Sequence, residues 1–261
     1  MKKTIKGLFN SFGFEIRRVG IADEPRNINV KKSSVSYFDS CPDFSDFHNT
    51  IIDTVKGYTM TSKERLYALI NAVTYVEEAQ IKGSIVECGV WKGGGMMAVA
   101  HTLLKKNGPT RHLYMYDTFE GGMTQPDSSR DISIQGLNAQ DALDSWEQNN
   151  TYPTEHEVRS NMASTGYDLK QVHFVAGDVR DTIRTTIPDS IAVLRLDTDW
   201  YNTTKFELEM LFPLLTVGGV LIIDDYGHWQ GARKAVDEYF QENNVKMFLN
   251  RVDYTCRLGI K

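Results

Sequence analysis

Apolar residues recur at Leu66, Leu69, Ile70, Val73 and Val76, one face of a 3.6-residue period, and predict an amphipathic helix over 61–80. Thr61 and Glu64 read as a capping box at its start, the hydroxyl meeting one free N–H and the carboxylate another. Beyond it the pattern changes to short apolar runs separated by helical periods. Runs at 84–88 (SIVEC), 112–116, 172–176, 191–196 and 220–223 predict buried strands. Helices are predicted at 96–106, 202–215 and 231–243, and a glycine-rich turn at 89–95. Two last runs, 246–250 and 254–258, are joined too closely for a crossover and predict an antiparallel hairpin.

Strands alternating with helices imply an α/β fold, Rossmann-like, with a mostly parallel seven-stranded sheet, an antiparallel terminal hairpin and helices on both faces. The rhythm breaks at about 120–166, a polar stretch with helices predicted around 137–149 and 155–162. An insertion there follows a strand end and reads as a lid above the sheet. Residues 1–55 lack a long period and read as an N-terminal extension, leaving 56–261 as the main domain.

Composition narrows the class. The 261 residues suit one α/β domain, and 41% apolar with 24% charged residues is ordinary for a globular protein. A net charge of -5 speaks against a general nucleic-acid binder. No stretch approaches the roughly 18 apolar residues of a membrane span. The N-terminus mixes Lys2, Lys3, Lys6, Arg17 and Arg18 with Ile5, Leu8, Phe9, Phe12 and Phe14, without the apolar core or cleavage site of a secretory signal. It reads as an arm packing on the domain or on a second subunit of a homo-oligomer, with a membrane-surface anchor as the other reading. Cys41, Cys88 and Cys256 are few, distant and odd in number, which points to free thiols in a reducing, cytoplasmic compartment.

Acidic residues collect at the predicted strand ends. Glu87, Asp117, Asp178, Asp197 and the pair Asp224-Asp225 close five successive strands. Open α/β sheets bind ligands outside the carboxyl ends of their strands, so these carboxylates share one rim. The turn from Glu87 to Gly95 (ECGVWKGGG) lets backbone approach a ligand. Its spacing is neither that of a dinucleotide fingerprint nor that of a phosphate loop. A nucleoside ligand without pyrophosphate fits it, as does a plain tight turn. Asp117 can accept from both ribose hydroxyls. Asp178 can accept from an adenine amino group or cap the helix that follows it. One helix and one strand separate Asp197 from Asp224. Neighbouring strand ends lie about 5 Å apart, so the three aspartates can converge. Their repulsion calls for a cation, and oxygen-only ligands suit Mg²⁺, with Ca²⁺ or Mn²⁺ as alternatives. A solvated acidic rim is the other reading.

The stretches ECGVWKGGG (87–95), DTFEG (117–121), LRLDTDWYNT (194–203) and GGVLIIDDY (218–226) resemble the macrocin O-methyltransferase family over about residues 58–240. Those are class I methyltransferases that use S-adenosylmethionine to modify sugar hydroxyls on natural products. The resemblance implies that Asp197, Asp224 and Asp225 hold the metal and that Asp197 is the base. It implies cofactor contacts at Glu87, Gly89, Asp117 and Asp178, with Trp91 and Gly93 in the same turn. It lays Thr61 and Ser62 against the cofactor's methionine end. The chain departs from the family pattern at Thr198 and Trp200, where Gly and Leu are usual, and 120–166 matches nothing in it. Asp199 reads as orienting its loop, and His228 and Trp229 as bordering the substrate or packing.

The expected function is a metal-dependent O-methyltransferase transferring the methyl group of S-adenosylmethionine to a hydroxyl of a sugar or glycosylated natural product; the acceptor partner is a small molecule or a glycan. A catechol-like phenol methyltransferase, or a methyltransferase fold kept as a non-catalytic binding protein, are the alternatives.

Overall fold

A computed structural model describes residues 41–106, 111–149 and 151–261. The N-terminal arm and its reading as an oligomer contact fall on residues outside the described ones. The compact unit described below is Asp43–Lys261.

Seven strands form one sheet: β1 (Ser84–Cys88), β2 (Leu113–Asp117), β3 (Val172–Ala176), β4 (Ile191–Leu196), β5 (Leu215–Ile223), β6 (Asn250–Arg251) and β7 (Arg257–Ile260). Their order is β3-β2-β1-β4-β5-β7-β6. The first five run parallel, and β7 and β6 pair antiparallel. This is the expected Rossmann-like architecture. Successive strands leave β1 in opposite directions, to β2 on one side and β4 on the other. That reversal opens a crevice at the carboxyl ends of β1 and β4.

Helices cover both faces: α1 (Asp46–Val55), α2 (Lys63–Glu78), α3 (Gly94–Lys106), α4 (Ala139–Asn149), α5 (Glu155–Ser164), α6 (Val179–Thr182), α7 (Tyr201–Leu211) and α8 (Gln230–Glu242). Side chains alternate across the sheet with the two-residue period of a strand. Ile85, Val193, Val220 and Ile222 pack in one core with residues of α1, α2, α3 and α5. Val86, Cys88, Leu194, Leu196, Leu221 and Ile223 pack in the other with residues of α6, α7 and α8.

Three boundaries differ from the sequence reading. Ile51 and Val55 of α1 are buried in the first core, so this helix belongs to the domain and not to an extension ending at 55. Ser62, not Thr61, caps α2: its hydroxyl accepts the Arg65 N–H at 3.2 Å, and the helix starts at Lys63. The terminal hairpin lies later than 246–258 because the Asp253 carboxylate accepts the N–H groups of Thr255 and Cys256, at 2.9 and 2.8 Å. That turn delays β7 to Arg257.

The insertion after β2 is docked, not loose. Buried Asp131 accepts the N–H of Tyr201 at the start of α7, at 2.8 Å. Ser133 bridges Trp229, and Gln230 at the start of α8 donates its N–H to the Ile132 carbonyl at 2.9 Å. The segment between β2 and α5 is thereby held over the carboxyl ends of the strands.

Candidate active site

Backbone hydrogen bonds draw the strand ends together. The N–H of Gly89 donates to Tyr116, that of Asp197 to Cys88 and that of Asp224 to Leu196, at 2.8 to 2.9 Å. Gly89 adopts a φ of +82°, and a Cβ there would lie 2.0 Å from the Asp197 carbonyl oxygen. Only glycine permits this approach. The glycine turn and the acidic loop after β4 are therefore neighbours by construction.

A cavity of about 400 Å³ opens at this point. Its volume falls in the range of small-molecule and cofactor sites. Gly89, Val90, Trp91, Asp117 and Thr118 line one part; Asp197, Thr198, Asp199, Trp200 and Asp224 line another. Thr59, Met60, Thr61 and Arg65 lie at a third side. The insertion supplies Met123, Thr124, Leu143, Trp146, Tyr152 and Pro153. The stretch expected to act as a lid thus forms part of the wall.

Of the expected cofactor residues, Thr61, Gly89, Trp91 and Asp117 line the cavity; Ser62, Glu87, Gly93 and Asp178 do not. Asp117 accepts three backbone N–H groups: Val90 and Trp91 on Oδ2 at 2.7 and 2.9 Å, and Phe119 on Oδ1 at 2.7 Å. Its carboxylate shapes the very turn it was expected to assist. Burial pushes its pKa up, and the backbone N–H groups oppose that. Glu87 lies behind the turn, 1% exposed, with Oε1 on Arg195 and Oε2 unpartnered. Burial raises it to about 6 against the pull of Arg195. Asp178 caps α6, its Oδ1 accepting the Arg180 N–H at 2.9 Å. The Arg180 side chain holds it below the usual carboxylate range. Of its two readings, the capping role is the one in place. Ser62 donates to Asp253 Oδ2 at 2.8 Å.

The acidic centre contains a cation pair that the motif reading missed. Arg195 Nη2 contacts Asp197 Oδ2 at 2.7 Å and Asp224 Oδ1 at 2.8 Å, while its Nη1 holds Glu87. Arg65 is ion-paired with the other oxygen of Asp224. A charged residue in the otherwise apolar run IAVLRL was the available signal for Arg195. Nothing in the period of α2 distinguishes Arg65 from a solvated side chain. Asp199 sits at a φ of +63°, its Oδ1 accepting the Trp229 indole N–H at 2.9 Å. That contact ties the loop after β4 to the start of α8. Burial, with crowding by neighbouring carboxylates, pushes Asp197 and Asp225 well above the usual range. Asp199 is raised to about 6, chiefly by burial.

Among the described residues, no three Asp, Glu, His or Cys side chains are gathered as a metal centre. The expected triad is not assembled because both Asp224 oxygens face guanidinium groups. The donor chemistry nevertheless suits a hard divalent cation: the groups are all carboxylates, and Asp225 is crowded by Asp199, Asp197 and Asp224. Of the two residues read as bordering the substrate, Trp229 lines the cavity, whereas His228 shares a hydrogen bond with the Tyr254 hydroxyl at 2.9 Å.

The family model for macrocin-O-methyltransferase (TylF) matches residues 46–258. The chain belongs to the macrocin-O-methyltransferase family. Like that family it is an S-adenosylmethionine-dependent O-methyltransferase, and the reading as a non-catalytic binding protein falls away. It is 34% identical to the demethyldecarbamoylnovobiocin O-methyltransferase of Streptomyces niveus, covering 76% of this chain and 73% of that one. It is 31% identical to a Streptomyces olivaceus 8-demethyl-8-(2,3-dimethoxy-alpha-L-rhamnosyl)-tetracenomycin-C 4'-O-methyltransferase, over 76% of this chain and 74% of that one. The solved structure of the O-methyltransferase NovP superposes with a TM-score of 0.66 at 29% identity, covering 78% of this chain and 82% of NovP. The indole N–H of Trp200 donates to the Thr124 carbonyl at 2.8 Å. Thr198 donates to buried Glu207 at 2.9 Å.

Among the described residues no helix is long and apolar enough to cross a membrane.

Proposed function

We propose that this enzyme methylates a hydroxyl of a sugar carried by a natural product, with Asp197 as the group that takes the proton. The observation that carries the reading is the union, in one cavity, of the glycine turn with Asp117 and the acidic loop of Asp197. The rhamnosyl acceptor in the name of the Streptomyces olivaceus relative supports the sugar class.

The turn residues Gly89 and Trp91, with Asp117 and Thr61, would hold the donor. Glu87, Ser62, Gly93 and Asp178 would act on it indirectly, through the local structure they brace. Transfer breaks the methyl–sulfur bond and forms a methyl–oxygen bond, releasing S-adenosylhomocysteine. The hydroxyl proton would pass to Asp197, a carboxylate in the cavity wall. Holding donor and acceptor in line supplies much of the rate. Asp197, Asp224 and Asp225 would hold Mg²⁺ or another hard divalent cation. Such an ion, when bound, fixes neighbouring acceptor oxygens and lowers the hydroxyl pKa.

One feature favours a second reading. Trp146, Tyr152, Trp200 and Trp229 give the cavity flat aromatic walls, which also suit a catechol-like phenol. A labelled-methyl screen of glycosides against catechols, with Mg²⁺ and with excess chelator, separates the possibilities. The proposal expects label on glycosides only, lost in chelator and restored by Mg²⁺. Label on catechols alone overturns the sugar class, and full turnover in chelator overturns the metal.

A further inference from the structure

Arg65 stands where the metal reading needs a cation. Its Nη1 is ion-paired with Asp224 Oδ2, and its Nε donates to Asp253 Oδ2 at 2.9 Å. The remaining Asp224 oxygen accepts from Arg195 at 2.8 Å. Asp224 therefore has both oxygens committed to guanidinium groups.

The two arginines are not held alike. The Arg195 side chain is 5% exposed, projects from a central strand and contacts Glu87, Asp197 and Asp224. The Arg65 side chain is 19% exposed, stands on the first turn of α2 and lines the cavity beside Thr59 and Thr61. Its contacts are Asp224 and Asp253. Moving Arg195 leaves Glu87 an uncompensated buried carboxylate; moving Arg65 leaves Asp253 with its Ser62 and backbone donors and frees one oxygen of Asp224, which keeps Arg195 on the other. Arg65 is the exchangeable one.

S-adenosylmethionine carries one anionic group, the carboxylate of its methionine end. A guanidinium in the wall of the donor's own cavity matches it in charge and in planar two-pronged geometry. We propose that Arg65 is an exchangeable internal counter-ion, neutralising Asp224 until the donor's carboxylate draws it away and leaves Asp224 open to a divalent cation. The inference rests on the metal reading given above. It makes donor and metal binding cooperative, and by linkage each tightens the other by one common factor. It also explains why a triad legible in the sequence is closed by arginine in the structure.

The test is a titration of the full chain with Mn²⁺, following the free ion by electron paramagnetic resonance. Two nucleosides are compared: S-adenosylhomocysteine, which keeps the carboxylate, and 5'-methylthioadenosine, which lacks it. S-adenosylhomocysteine should tighten Mn²⁺ by about tenfold, and methylthioadenosine should leave it unchanged. Arg65→Gln should bind Mn²⁺ about tenfold more tightly without nucleoside and respond little to either one. Arg65→Lys, which keeps the charge, should stay near the wild type. Equal tightening by both nucleosides overturns the proposal and needs no variant. So does equal Mn²⁺ affinity in wild type and Arg65→Gln, with the metal reading intact. No Mn²⁺ bound by either protein, while calorimetry shows S-adenosylhomocysteine bound, overturns the metal reading and this inference with it.

Discussion

The indole N–H of Trp200 donates to the carbonyl oxygen of Thr124 at 2.8 Å, joining the loop that carries Asp197 to the insertion that walls the cavity. Trp200 also packs edge-on against Trp229, their ring centroids 5.1 Å apart, in a small cluster with Ala139 and Ala232. Loop, insertion and the start of α8 thus share one aromatic joint.

Replacing this joint by an aliphatic side chain tests its role. Trp200→Leu leaves the Thr124 carbonyl without its donor, a loss of about 1–3 kcal/mol if the group stays dry. The melting temperature should fall by several degrees, and KM for the acceptor should rise more than KM for the donor. Paired KM measurements check the split. An equal rise in both would mean that Trp200 serves the whole cavity and not its acceptor wall.

Asp117 braces the turn, and on the proposed reading it sets donor affinity through that shape. Asp117→Ala strips the acceptor from the N–H groups of Val90, Trp91 and Phe119. Unpaired buried donors cost about 1–3 kcal/mol each, so the donor Kd should rise at least about tenfold. Calorimetric titration with S-adenosylhomocysteine measures it, with circular dichroism to show that the variant is folded. An unchanged Kd would place the donor elsewhere.

Glu207 makes stability depend on pH. It is fully buried in α7, accepts from Thr198, and burial raises its carboxyl to about 8 from a usual 4.5. The folded state then binds more protons than the unfolded chain between about pH 4.5 and 8, so this group's contribution to stability falls as pH rises through that window. Glu207→Gln keeps an acceptor for Thr198 and removes the titration. The melting temperature of the variant minus that of the wild type should therefore increase from pH 5 to pH 8. A flat difference would show that Glu207 ionises in the folded protein as it does in the unfolded one.

The sheet was legible because its strands are short apolar runs ending in acidic residues, and both features survive in the sequence without reference to partners. The convergence of Asp197 with Asp224 followed from parallel strand spacing alone. What the sequence concealed depends on side chains reaching across elements. Thr61 and Glu64 have the spacing of a capping box, yet Ser62 takes the cap and the Thr61 hydroxyl lies 3.5 Å from Arg195 Nη2. Asp117 carries the residue type of a ribose ligand, yet three backbone N–H groups already meet it. Arg65 is an ordinary polar position by period, and only the fold brings α2 to the end of β5. The insertion has neither the strand nor the long helical period of the core, so its aromatic contribution to the cavity is not readable from the sequence; Trp200 and Trp229 anchor it in the fold.

On the proposed reading the cavity comprises a donor-holding turn and a proton-accepting aspartate, and Asp197→Asn tests that division most directly. On an acceptor found in the glycoside screen, kcat should fall by about 10²–10⁴-fold, the usual worth of a positioned base. The Kd for S-adenosylhomocysteine, measured by calorimetry on the same preparation, should stay within about threefold of the wild type, well under the 1.4 kcal/mol of a tenfold change. Normal turnover with weakened donor binding would contradict the account and assign Asp197 to the donor.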